Sequence, residues 1–432
     1  MILNPLLRGI YEFLKILSRF VLALFYSDTT IINGERFSFR NPVIIVSNHP
    51  NTLIDAIRTA SLVKRNVYFL ANYSLFKSAF QNWFFNTFFC IPIKRQQDVS
   101  SGTLLRNDDA FARCDEHLGN NGILYIAPEG TSFIERRLRP IKTGTARIAL
   151  SAEDKKDFNL DLTILPVGLT YSDAHLSGSR MVVNVGEHIS LKPFAECYHK
   201  DTFGTVRKLT NLIEERMKSL LLQTNNDEED ELLKKLERIL SSENRSGTWL
   251  FYKSQALLAI IQSTEKETLD NFRTVTHQYF GKLRLYHLED EVVAEATGYR
   301  PGRPLILRLI GLLLGGPLFL YGLLNNFLAV FTPVLIAKKI NLYIGYMATV
   351  KILSGLFTFP LFYFLQSKLF MFFFPEIGVG WYLLSLPLTA YFARIYWNWS
   401  KIAISALRWD LMDENIREQM RNWRQEIREF GG

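Results

Sequence analysis

Cysteine is scarce: Cys90, Cys114 and Cys197 are the three in 432 residues, far apart and without metal-ligand spacing. Neither a disulfide framework nor a zinc site is indicated, and a reducing compartment is the default reading. Internal repeats and low-complexity tracts are not evident, so organisation has to be read from shifts in composition along the chain. Met1 to Ser27 lacks the uniform apolar stretch and small-residue cleavage site of a secretory signal, because Arg8, Glu12, Lys15 and Arg19 interrupt it. No recognised nucleic-acid-binding motif accompanies the basic residues, so nucleic acid is not expected as a partner.

What is abundant is apolar surface, with 48% hydrophobic residues and 13% aromatics. That exceeds what a soluble core alone requires and points to membrane association. A formal charge of +8 and a pI near 9.2 suit an anionic partner such as an acidic bilayer surface or a phosphorylated substrate. The four charges at Arg8, Glu12, Lys15 and Arg19 recur at helical spacing and form one polar stripe on an otherwise apolar helix. Residues 1–28 therefore read as an amphipathic helix in a membrane interface, with a helix packed on its own domain as the alternative.

Over residues 29–200 short β-rich runs alternate with helical segments, which predicts an α/β domain, a β-sheet flanked by helices. Strands are expected at 43–46, 67–70, 122–127, 162–167 and 181–185, and helices at 52–64, 73–88, 103–117 and 144–151. Residues 201–303 are polar, charge-rich and helical in period, and read as a connector with partner binding as a weaker possibility. Residues 304–400 are a candidate transmembrane helical region with three apolar stretches, 309–331, 352–374 and 377–393. Lys338, Lys339 and Lys351 precede the last two, and Arg394, Lys401 and Arg408 follow them, so a two-span hairpin with cytoplasmic flanks is expected. Gly315-Gly316-Pro317 and Asn325-Asn326 give the first stretch the look of a broken, re-entrant segment. Residues 401–432 read as a charged amphipathic tail helix on the cytoplasmic surface.

Two strand ends carry chemistry. Val43-Ile44-Ile45-Val46 runs into Ser47-Asn48-His49-Pro50-Asn51-Thr52-Leu53-Ile54-Asp55, where Pro50 breaks the chain and Asn51 is expected to cap the next helix. On one continuous helix a six-residue offset would separate His49 from Asp55; the turn lets the carboxylate fold back on the imidazole. A carboxylate on one ring nitrogen leaves the other as a general base, although a lone His at a strand end is more often structural. Downstream, Gly122-Ile123-Leu124-Tyr125-Ile126-Ala127 ends in Pro128-Glu129-Gly130-Thr131-Ser132, which is either a second site turn or a plain tight turn. Lys94-Arg95 and the run Arg136, Arg137, Arg139, Lys142 supply cations suited to phosphate, with Arg95 preferred and a solvated surface equally open for Arg136 and Arg137.

The ordered set Asn48-His49 to Asp55, Ile91-Pro92-Ile93-Lys94-Arg95, Pro128-Glu129-Gly130-Thr131-Ser132 and Ile164-Leu165-Pro166-Val167-Gly168 resembles the four blocks of the glycerolipid acyltransferases. Five residues between His49 and Asp55, and the block Leu138 to Leu150, look most like the glycerol-3-phosphate and dihydroxyacetone-phosphate branch. Phe133 stands where that branch often has a His after the Ser. The resemblance implies acyl transfer from a thioester, acyl-CoA or acyl-acyl carrier protein, to glycerol 3-phosphate or dihydroxyacetone phosphate, giving lysophosphatidic acid. Lysophosphatidate or another lysophospholipid is the alternative acceptor, and a catalytically silent membrane scaffold the alternative class. Within the implied site His49 and Asp55 are catalytic, while Lys94, Arg95, Glu129, Gly130, Thr131 and Ser132 bind substrate. No metal and no tightly bound cofactor is implied. The expected setting is the bilayer, with the site facing the cytoplasm, in a bacterial inner membrane or the endoplasmic reticulum.

Overall fold

Parallel strands with nearly continuous apolar sequence must be covered on both faces, and residues Val43–Ser47 are buried without exception. The computed structural model describes residues 5–76, 78–87, 89–94, 107–243, 246–340, 342–376 and 378–430. They divide into two compact units, 1–223 with 343–349, and 224–342 with 350–432.

The first unit is a mixed sheet. Its strands are β1 (Asp28–Ile32), β2 (Val43–Ser47), β3 (Val67–Asn72), β4 (Cys90–Ile93), β5 (Ile123–Ile126), β6 (Thr163–Tyr171), β7 (Arg180–Val185) and β8 (Ile189–Ser190). The order is β1-β7-β6-β2-β5-β3-β4, with β8 on β6. β6, β2, β5, β3 and β4 run parallel, whereas β7 is antiparallel to β6. Around it lie α1 (Pro5–Phe25), α2 (Leu53–Leu62), α3 (Ala79–Thr87), α4 (Asp108–Gly119), α5 (Gly144–Asp154), α6 (Ala195–Lys200) and α7 (Thr202–Ser219). Cys114 and Leu118 of α4, Ile148 and Leu150 of α5, and Leu209, Ile213 and Met217 of α7 close one core with Ile44, Leu124 and Ile164. This packing carries the unit through Gln223, past the boundary expected after residue 200.

Three strands were not expected from the sequence. β1 and β8 lie at edges or are two residues long, and β4 follows an apolar run whose period does not separate strand from helix. The helix expected over 73–88 is a 3-10 turn, Tyr73–Phe76, followed by α3. The start of the helix expected at 103 lies outside the described residues.

In α1, Lys15 of the polar stripe is buried against the protein, whereas Arg8 and Arg19 are exposed. Lys15 donates to Lys64 O at 3.0 Å and the Arg19 Nε to Ser61 O at 2.6 Å, so two cations satisfy carbonyls at the C-terminal end of α2. Lys15 is 8% exposed, whereas Phe13, Ile16 and Phe20 are 63%, 64% and 60% exposed.

The second unit comprises α8 (Asp227–Ser242), α9 (Gly247–Ser263), α10 (Lys266–Leu285), α11 (Asp290–Ala296), α12 (Leu305–Lys339), α13 (Met347–Phe373, whose first turn belongs to the first unit), α14 (Val379–Asp410) and α15 (Glu414–Phe430). Residues 305–339 and 344–373 are long and apolar enough to cross a membrane. The break expected in 309–331 does not occur, because α12 is continuous through Pro317. Its glycines instead admit α14: Cβ atoms at Gly311, Gly315 and Gly322 would lie 2.4, 2.3 and 2.4 Å from Trp399, Tyr396 and the Thr389 carbonyl oxygen. The partner that α14 packs along is thus α12, not α13 as the hairpin reading expected. Asn325 and Asn326 tie the helices together, since Tyr363 and Tyr382 donate to their side-chain oxygens at 2.6 and 2.8 Å and Gln366 donates to Asn325 O at 2.7 Å.

The tail also differs from expectation. Helix α14 runs on to Asp410, and α15 buries Met420, Arg424 and Ile427. The Arg424 guanidinium pairs with Asp290 at 3.2 Å, and Tyr279 and Ser242 also donate to that carboxylate. A buried charge retained in this way needs its partners, so α15 is an integral part of the unit rather than a surface tail.

Candidate active site

Strand pairing brings the two turns together. Val46 of β2 is in register with Ile126 of β5, so the chains leave the sheet side by side at the carboxyl ends of parallel strands. On the other side of β2, Ser47 pairs with Val167, and β6 continues beyond it to Tyr171. Asn48 extends this ladder with its side chain, donating to Leu169 O and accepting from Leu169 N, both at 2.8 Å.

Past Asn48 the main chain turns sharply. Asn51 does not cap α2; its amide donates to Tyr26 Oη and Ala174 O, each at 2.7 Å. Thr52 takes the cap position with φ 42° and ψ −122°, a conformation costly for a β-branched residue. This geometry returns Asp55 to the imidazole, with His49 Nδ1 to Asp55 Oδ2 at 3.1 Å. The same oxygen accepts the Asn51 amide at 2.6 Å, and Oδ1 accepts the Tyr171 hydroxyl at 2.6 Å. A carboxylate only accepts, so Nδ1 carries the proton and Nε2 keeps the lone pair of a general base. Burial, with the Asp55 charge second, raises the Tyr171 phenol well above its ordinary value, which keeps it a donor. Asp55 is fully buried and the His49 side chain is 21% exposed, so the carboxylate is sequestered while the ring meets the surface.

Glu129 braces the two turns from the β5 side. Its Oε1 accepts the His49 amide at 2.9 Å and its Oε2 the Arg139 amide at 3.1 Å. Burial pushes its carboxyl up to about 6, against those two amide bonds and the nearby His49. Both carboxylate oxygens thus already accept backbone amides, and the expected substrate-binding role becomes one of shaping the turn. The His49 and Asn51 amides are committed as well, which removes them from the candidates for an oxyanion donor.

Gly130 has φ +74°, and a Cβ there would lie 2.7 Å from Lys142 Nζ, so glycine brings the turn's backbone against an ammonium. Ser132 Oγ accepts the Thr52 amide at 3.3 Å, joining the turns a second time. Thr131 is half-buried beside them. Phe133 lies under the Arg139 guanidinium at 4.4 Å. Arg137 and Arg139 both pair with Glu135, at 2.9 and 2.6 Å, which decides for Arg137 against a free surface cation.

Lys94 ends β4 on the same edge of the sheet, but β5 and β3 intervene, placing the two strands roughly 14 Å apart. Its ammonium lies 5.1 Å from the Tyr73 ring centroid. Arg95 lies outside the described residues. Sequence reasoning missed Tyr26 and Tyr125, whose hydroxyls hold Asn51 and Ser47 at 2.7 Å. Neither stands at a spacing that marks it. Among the described residues no group of three or more His, Cys, Asp or Glu side chains is placed to hold a metal ion.

The acyltransferase family profile matches residues 28–170, the span that contains every one of these turns. The chain is 26% identical over 249 residues to glycerol-3-phosphate O-acyltransferase 1 of Saccharomyces cerevisiae, covering 54% of this chain and 31% of that protein. It is 34% identical over 108 residues to glycerol-3-phosphate O-acyltransferase 2 of the same yeast, covering 25% and 14%. The chain therefore spans less than a third of the length of either curated relative. Among solved structures, the 1-acyl-sn-glycerophosphate (LPA) acyltransferase PlsC from Thermotoga maritima matches 50% of this chain and 80% of its own, at 18% identity and a TM-score of 0.37. Residues 28–170, about a third of the chain, are thus similar to the acyltransferase family. Both curated relatives that the chain resembles are glycerol-3-phosphate O-acyltransferases.

Proposed function

We propose that this chain is a membrane-bound glycerol-3-phosphate acyltransferase working by general-base catalysis, and the Tyr171–Asp55–His49 relay is the observation that carries the reading. His49 Nε2 takes the proton of the acceptor hydroxyl as that oxygen attacks the thioester carbonyl. The tetrahedral intermediate then collapses, the C–S bond breaks, and the leaving thiolate recovers the proton from the imidazolium held by Asp55. No acyl-enzyme forms. Arg95, with Lys94 beside it, is assigned the acceptor phosphate; Gly130, Thr131 and Ser132 line the acceptor side, with Glu129 holding their turn.

Glycerol 3-phosphate is the acceptor favoured by the two yeast relatives and by the five-residue gap between His49 and Asp55, with dihydroxyacetone phosphate as its keto analogue. The donor is an acyl thioester of coenzyme A or of acyl carrier protein, both anionic carriers suited to a basic chain. Two observations support a bilayer setting: the outward apolar face of α1, and the two long apolar helices. The site is assigned to the cytoplasmic side.

The test gives purified protein in lipid nanodiscs a labelled acyl donor with glycerol 3-phosphate, dihydroxyacetone phosphate or lysophosphatidate. Lysophosphatidic acid should form from glycerol 3-phosphate, and His49→Ala should lower the rate by about 100-fold or more. Arg95→Ala should raise the acceptor KM far more than the donor KM. Product from lysophosphatidate alone would reject the acceptor assignment, and equal rates for wild type and His49→Ala would reject the mechanism.

A further inference from the structure

The stretch Tyr343–Thr349 runs from the connection after α12 through the first turn of α13, yet it folds as part of the first unit. Its contacts converge on the catalytic turns. Thr52 Oγ1 lies 3.2 Å from Gly345 O and 3.2 Å from Thr349 Oγ1. Both contacts are satisfied if Thr52 donates its hydroxyl proton to the Gly345 carbonyl and accepts that of Thr349. The Ile134 amide donates to Tyr343 Oη at 2.9 Å, just past Ser132. Gly345 is itself wedged in place, since a Cβ there would lie 2.7 Å from the Tyr343 ring and 3.4 Å from Ser132 Oγ.

Thr52 is where such support matters. Its φ of 42° places a β-branched residue in a disfavoured region, and it sits between His49 and Asp55 in the chain. Strain of this kind persists only where neighbours over-determine it. Ser132 holds the Thr52 amide from one side, and Gly345 with Thr349 holds its hydroxyl from the other. Were Thr52 to relax, the path from Pro50 into α2 would change and Asp55 would no longer be set against the imidazole.

We infer that residues 343–349 are a positioning element of the acyl-transfer site, in which Thr349 and Gly345 lock the strained Thr52 turn and thereby hold Asp55 against His49. The inference rests on the acyltransferase reading of that dyad. Thr52 and Thr349 are positioning residues that need not touch substrate. A membrane-flanking segment is in this way built into the catalytic geometry, so the site is complete only when that segment is seated.

The experiment uses the full chain in nanodiscs. Thr349→Val preserves shape and removes the hydroxyl; it should lower kcat about ten-fold while leaving donor and acceptor KM nearly unchanged. Thr349→Ser should restore the rate, and Thr52→Val combined with Thr349→Val should be no worse than Thr52→Val alone, because Thr52→Val already removes the hydroxyl that Thr349 contacts. Amide hydrogen exchange supplies a readout independent of activity: in Thr349→Val, residues 49–55 should exchange faster than in wild type while β5 and β6 stay protected. A wild type inactive on every acceptor would sink the functional reading and leave the exchange result to decide this one. Unchanged kcat in Thr349→Val beside an active wild type, or unchanged exchange over residues 49–55, overturns it.

Discussion

Glu129 shows how one buried side chain can link stability to the site. Its carboxyl, ordinarily near 4.5, is raised to about 6, chiefly by burial. The folded protein therefore holds that proton more tightly than the unfolded chain does. This contribution to stability is fully present below about pH 4.5 and is lost as pH rises through about 6. The span corresponds to on the order of 2 kcal/mol. Glu129→Gln cannot titrate, so the Tm advantage of wild type over the variant should shrink between pH 4.5 and 7. A pH-independent difference would show that Glu129 has an ordinary carboxyl in the folded state. At this scale the dyad was accessible from spacing alone, because Pro50 and the strand before it fix where the chain turns. The third member of the relay was not, because Tyr171 lies 116 positions from Asp55 and reaches it only through the pairing of β6 with β2.

Among the elements, α12 is the plainest case of one sequence pattern with two physical outcomes. Glycine pairs can break a helix or let another helix approach, and composition does not distinguish them. Here the aromatic rings of α14 fill the spaces, so the helix continues. The consequence is a contrast between two substitutions of the same kind. Gly322→Ala would set a methyl 2.4 Å from the Thr389 carbonyl oxygen, a backbone atom with little room to yield. It should destabilise by about 1–3 kcal/mol. Gly355→Ala in α13 meets only its own helix's Phe359 at 3.9 Å, and should stabilise by up to about 1 kcal/mol from helix propensity. Thermal unfolding of both variants in detergent checks the pair; shifts of the same sign would refute the α12–α14 packing. Helix α1 teaches the same lesson in reverse. Its charge spacing predicts a two-faced helix, but where Lys15 and Arg19 point depends on the Lys64 and Ser61 carbonyls that they cap.

For the whole molecule, the placement of Tyr343–Thr349 within the first unit bears on membrane topology. If the apolar helices cross a bilayer as proposed, a residue there stands on the same side as the His49 turn. An impermeant thiol reagent should therefore label Ile344→Cys and Lys94→Cys from the same side of sealed vesicles, in a background lacking the native cysteines. Labelling from opposite sides would break the assignment. The expectation that the Lys338 to Lys351 loop faces the side of the N-terminal domain remains a proposal that this labelling tests.

Composition and local order decided a good deal: an α/β segment followed by an apolar one, two polar turns at strand ends, and four blocks whose succession resembles that of the glycerolipid acyltransferases. Each of these depends on residues within a few positions of one another, where period and spacing carry the signal. Tertiary structure alone decided the rest, including the inward face of α1, the continuity of α12, the bracing role of Glu129, and the contacts of Tyr171 and Thr349. Those outcomes depend on which surfaces meet, and a hydrogen bond such as that between Thr52 and Thr349, 297 positions apart, leaves no period in the chain to read.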